Sequence, residues 1–201
     1  MKSRHVVNVV GLVGFARQHK SFVVHYLLFL FCFVLGVFTV DKGSALTYVQ
    51  KLLSEYSSLL ASGFLPSFLT FLIVSVAFAF LIFVSGFFVL GSPVCICMFM
   101  LFGLGTGCVF AANCRLYGFG GMLINLACYL VPALTMFAVT ASLSSKSMYA
   151  SAGLVCAVTS GKFLPGFRQN MKDLFVMFAV SVPIAAVASA MRALLLIIYP
   201  M

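Results

Sequence analysis

The stretch PSFLTFLIVSVAFAFLIFVSGFFVL (Pro66 to Leu90), then GSP (Gly91 to Pro93), then VCICMFMLFGLGTGCVFAA (Val94 to Ala112) decides the fold class. No charged residue interrupts it. At ~1.5 Å per residue the two apolar runs reach ~37 Å and ~28 Å, against a hydrocarbon layer of ~30 Å. Each is read as a membrane-spanning helix, and so short a turn between them makes the two antiparallel neighbours.

Working outward, a first span is expected at 22–40, a fourth at 122–143 with a kink at Pro132, and a fifth at 174–198. The spans expected from the quoted stretch are 66–90 and 94–112. Asn113 to Gly121 reads as a short loop. Ser144 to Asp173 reads as a long connection, half-apolar over Met148 to Val158 and basic after it. Between Asp41 and Gly63, the residues Val49, Leu52, Leu53, Tyr56 and Leu60 recur at helical spacing among polar ones, the pattern of an amphipathic helix lying on the membrane surface. The N-terminal run after Lys20 is long enough to span and has no small-residue cleavage site, so it reads as a retained span. The expected architecture is therefore all-α: a polytopic membrane helix bundle over 1–201, with about five transmembrane helices plus one extracytoplasmic amphipathic helix.

Composition agrees. The 201 residues are 64% hydrophobic and 7% charged, too few charges to coat a water-soluble globule. Twelve Lys and Arg against three Asp and Glu leave a net charge of +9. In a soluble protein that balance suggests nucleic acid; here the cations lie in connecting segments, where they orient the chain against an anionic leaflet, and no nucleic-acid partner is expected. Lys2, Arg4, Arg17 and Lys20 precede the first span, and Lys146, Lys162, Arg168 and Lys172 precede the last. Both groups are expected on the cytoplasmic side. Only Lys42, Lys51 and Arg115 fall on the other, which implies a cytoplasmic N-terminus and an extracytoplasmic C-terminus in a multi-pass protein of the cell membrane.

No catalytic constellation is legible. The carboxylates Asp41, Glu55 and Asp173 are spread along the chain, and the seven cysteines show neither Cys-x-x-Cys spacing nor a nearby His cluster. No enzyme activity, cofactor or metal is expected. His25, close to the basic end of the first span, reads as a neutral imidazole at headgroup level. Gly103 and Gly107 form a small-xxx-small pair, a face on which another helix can approach closely. Arg192 is the one clear charge inside a span, ~9 Å from Ile198 along a helix. It either snorkels to the outer headgroups or pairs with an acid that a partner supplies. Tyr56, on the amphipathic segment, is the other expected partner contact.

With the segments placed, the chain resembles the stage II sporulation protein M family. The resemblance rests on the basic N-terminus, Leu35-Gly36-Val37, the polar loop with its amphipathic helix, Gly86 to Pro93 (GFFVLGSP) and Phe102 to Phe110 (FGLGTGCVF). Tyr117 to Gly121 (YGFGG) and Leu130-Val131-Pro132 continue it. Phe102 departs from it, standing where the family pattern has a lysine. The resemblance implies a noncatalytic scaffold that recruits or holds membrane-anchored, peptidoglycan-degrading hydrolases during forespore engulfment, with the lipid bilayer as its medium. The alternative is a small transporter, or the membrane subunit of an ABC-type permease. The glycine-rich third span and the prolines 93 and 132 favour it, and the scarcity of charge at membrane depth opposes it.

Overall fold

The structure, a computed structural model, describes residues 20–40, 47, 51, 63–124 and 131–198. Tyr56 and all but three residues of the Asp41 to Gly63 segment lie outside them, as do Lys2, Arg4, Arg17 and Cys128. All regular structure among the described residues is α-helical. The five long helices are α1 (Lys20–Thr39), α2 (Phe64–Ser85), α3 (Gly91–Ile124), α4 (Val131–Ser160) and α5 (Phe167–Ile198). Three helical stretches are long and apolar enough to cross a membrane: Phe64–Ser85, Gly91–Arg115 and Phe167–Leu195.

Several boundaries differ from the sequence reading. The turn between α2 and α3 lies at residues 86–90, ahead of Gly91-Ser92-Pro93, and is closed by the N–H groups of Gly86, Phe87 and Phe88 bonding the carbonyls of Phe83, Val84 and Ser85. Pro93 then sits in the first turn of α3, where its missing N–H costs nothing. Of residues 113–121, expected as a loop, 113–117 continue the helix, the break falls at Gly118, and a second helical piece follows it to Ile124. The chain changes direction at Gly118, whose φ of 58° and ψ of −137° only glycine adopts readily. Pro132, where a kink is expected, is the second described residue of α4, and the residues before Val131 lie outside the described ones. The interior proline is Pro183, in α5.

The largest correction concerns α4. The fourth span was expected to end at 143, yet the helix runs on to Ser160 and is capped by Gly161 at φ 69°, whose N–H reaches the Ala157 carbonyl at 3.0 Å. Its Thr140, Ser144, Ser147 and Ser151 share one face and are all buried. Small hydroxyls that read as loop composition thus line an inward-facing stripe. α4 contacts each of the other four helices, and α5 begins at Phe167, seven residues earlier than expected.

Contacts along the bundle show that successive helices alternate in direction. At one end the start of α1 (His25), the end of α2 (Ser85) and the start of α3 (Cys95, Phe99) meet α4 from its middle onward (Ser144, Ser147). The start of α5 joins them through Asn170 and Asp173. Toward the other end, the end of α1 (Thr39) meets the middle of α3 (Cys108), and the first half of α2 (Phe71) meets the last part of α5 (Arg192). Between the ends lies a core rich in phenyl rings, with Phe29, Phe99 and Phe137 at its centre.

Cys114, late in α3, and Cys156, late in α4, accordingly lie at opposite ends of the bundle. In single-cysteine variants, an impermeant maleimide should label one of them only in intact cells and the other only in inverted vesicles. Labelling of both from the same side would contradict the alternation.

Candidate functional site

The approach of α1 to α3 is built on glycine. The buried stripe of α1 is His25, Phe29, Cys32, Gly36 and Val40, and that of α3 is Gly91, Cys95, Phe99, Gly103, Gly107 and Ala111, spaced four residues apart. A methyl group placed on Gly103 would lie 2.6 Å from the Phe29 carbonyl oxygen; on Gly107 it would overlap the Phe33 carbonyl, and on Gly36 the Leu104 carbonyl. Backbone therefore lies on backbone. The Cys108 thiol donates to the Gly36 carbonyl at 3.4 Å and lies 3.6 Å from the Thr39 hydroxyl, adding polar contacts to the same seam. Gly36 was not singled out in the sequence, although Cys32-xxx-Gly36 is itself a small-xxx-small spacing. Gly105 points elsewhere, into open space.

A second seam is made of hydroxyls. Ser85 lies 2.9 Å from both Ser147 Oγ and Cys95 Sγ, and the Ser147 hydroxyl donates to the Ile82 carbonyl at 2.7 Å. One turn further along, Ser151 donates to the Val89 carbonyl at 3.1 Å and accepts from the Ser92 N–H at 3.3 Å. Together these bonds hold the α2–α3 turn against α4. Buried polar groups in such a setting must be satisfied by protein, and here each one ties two helices together.

His25, expected at headgroup level, faces the interior of the bundle near the start of α1. It is 2% exposed, its Nε2 lies 2.9 Å from Ser144 Oγ, and its ring meets Phe99 edge-on at 4.7 Å. The stripe it shares with Phe29, Cys32 and Gly36 turns it into the bundle. Near the same end, Lys146 Nζ pairs with Asp173 Oδ2 at 2.8 Å, Gln169 donates to the other carboxylate oxygen at 3.0 Å, and Asn170 donates to the Lys146 carbonyl at 2.9 Å. Asp173 thus belongs to a helix–helix contact.

Arg192 is at the opposite end. Its guanidinium lies 4.0 Å above the Phe71 ring, a cation–π contact between α5 and α2. It borders a cavity of about 410 Å³ whose lining includes Phe71, Phe78, Phe102, Gly105, Ser189 and Arg192. The hydroxyl of Ser189, 2% exposed, makes no hydrogen bond. Nothing in the sequence signalled this cavity, because its walls come from all five helices. Among the described residues, no group of three or more His, Cys, Asp and Glu side chains is placed to hold a metal ion. Compared with protein-family models, curated proteins and solved structures, the chain matches none.

The glycine geometry separates two substitutions on one helix. Gly107→Leu should push α1 off α3 and, at a cost of at least ~1–3 kcal/mol from overpacking, sharply lower the folded fraction recovered from membranes. Gly105→Leu should be recovered at the wild-type level or above. Fluorescence-detected size-exclusion chromatography of tagged protein reads both, and equal recovery of the two variants would contradict the seam.

Proposed function

We propose that this chain is a noncatalytic multi-pass membrane scaffold which holds membrane-anchored peptidoglycan-degrading hydrolases during forespore engulfment, as its resemblance to the stage II sporulation protein M family implies. The observation that carries the reading is where the polar side chains are used. His25 with Ser144, Ser85 with Ser147 and Cys95, and Lys146 with Asp173 each join one helix of the bundle to another. Polar groups engaged in this way make a rigid platform, and large apolar side chains such as Leu27, Phe31 and Phe38 of α1 are left exposed for lipid or a partner's helix.

All five helices cross the membrane in this proposal. α4, with 30 residues, spans ~45 Å, and the hydroxyls of Thr140, Ser144, Ser147 and Ser151 are buried against the other helices. The cations of residues 146–172 lie at the end of the bundle where α1 begins, which supports a cytoplasmic N-terminus and an extracytoplasmic C-terminus by the excess of Lys and Arg in cytoplasmic segments. Partner contacts then fall on the outer segment carrying Tyr56 and on the outer half of α5 around Arg192. A second reading, a permease subunit, is favoured by the cavity beside Arg192.

Deleting the gene in its host, while following the mother-cell membrane and fluorescently tagged wall hydrolases by microscopy, tests the scaffold. The proposal expects engulfment to stall and the hydrolases to disperse from the septum. Normal engulfment with normally placed hydrolases would reject it and bring the permease reading forward.

A further inference from the structure

The cavity beside Arg192 has a shape and chemistry that the scaffold reading does not use. Its volume, about 410 Å³, falls within the ~300–1,000 Å³ range of small-molecule sites. α2 and α3 meet from their turn to the contact of Phe78 with Phe102, ring centroids 5.2 Å apart. Beyond that contact the cavity lies between them. Two of its lining side chains, Val74 on α2 and Leu101 on α3, are 55% and 66% exposed, so the space opens sideways onto the outer apolar surface of the bundle. A ligand arriving there comes from the lipid phase.

The inner end is different. Ser189 presents a buried hydroxyl that no group of the protein bonds, and a buried hydroxyl left without a partner is costly. One helical turn further along α5, Arg192 holds its guanidinium against Phe71 at the cavity wall. Arg192 is six residues, ~9 Å, from the end of α5, a depth at which a lipid phosphate can meet a snorkelling arginine. Apolar walls open to lipid, a hydroxyl that lacks a partner and a cation near headgroup depth together describe one class of ligand.

We infer that this cavity binds an anionic phospholipid of the leaflet at the C-terminal end of α5. One acyl chain enters between α2 and α3 beside Gly105, while the phosphate accepts from Arg192 and Ser189. The phosphate bonds fix the headgroup, the specificity comes from a net negative charge beside Arg192 that the ammonium of a zwitterionic lipid would offset, and the affinity comes from the buried chain. The inference rests on the membrane location of the protein and not on the scaffold role. It gives the bundle a means of responding to the lipid composition around it, since all five helices line the site.

Native mass spectrometry of the full-length protein, purified from membranes and equilibrated with equal amounts of phosphatidylglycerol and phosphatidylcholine, tests it. Wild-type protein should retain phosphatidylglycerol in preference by about tenfold, because the choline ammonium of phosphatidylcholine offsets the attraction of its phosphate to Arg192. Gly105→Leu, which fills open space, should fold and lose bound lipid of both kinds. Arg192→Gln should keep bound lipid but lose the preference. Excess inorganic phosphate should displace neither lipid. Equal retention of the two lipids by wild type, no retention at all, undiminished retention by Gly105→Leu, or displacement by phosphate would each overturn the inference. Carbonate extraction of the starting membranes is the separate control on location. Wild-type protein should stay in the pellet, and its release would overturn the membrane reading and this site with it.

Discussion

The bundle depends on the contact of the α1 backbone with the α3 backbone across Gly36, Gly103 and Gly107. Lipid chains are as apolar as leucine side chains, so burial of apolar surface supplies little drive for one membrane helix to pack on another. What remains is close van der Waals contact and hydrogen bonding, both of which need the backbones near each other. A methyl at any of the three glycines would meet a carbonyl oxygen of the facing helix. This seam fixes how α1 lies, and therefore turns His25 inward to Ser144 and Phe29 inward to Phe137.

α4 follows from the same physics. Along the face that α1, α2, α3 and α5 cover, the surroundings of α4 are protein, and there hydroxyls become an advantage. Ser144, Ser147 and Ser151 are small enough to admit neighbouring helices and polar enough to bond to them. The Lys146–Asp173 pair then joins α4 to α5, while the Phe83–Phe178 stack, with centroids 4.6 Å apart, joins α2 to α5.

This is why the sequence was legible in part. The uncharged run through Pro66 to Ala112 announced its two helices because hydropathy reports what faces lipid, and Gly103 and Gly107 were visible as a spacing. The same measure misread α4, where Ser and Lys suggested a connection, although serines at positions 144, 147 and 151 carry helical periodicity of their own. On α1 nearly every side chain is apolar, so composition cannot tell the face that meets protein from the face that meets lipid. The inward orientation of His25 was therefore not legible. The cavity at Arg192 was beyond reach for another reason: it exists only where five segments converge, and no local pattern encodes that.

The most direct test of the account is a cross-link across the α1–α3 seam. Thr39 Oγ1 lies 3.6 Å from Cys108 Sγ, so Thr39→Cys should form a disulfide with Cys108 under mild oxidation in native membranes. A protease site inserted between residues 41 and 62 would sever the chain between the two helices. The fragments should then migrate together without reductant and apart with it, and a Cys108→Ser background should abolish the link. Fragments that separate without reductant, although both thiols react with maleimide, would contradict the seam and the helix arrangement built on it.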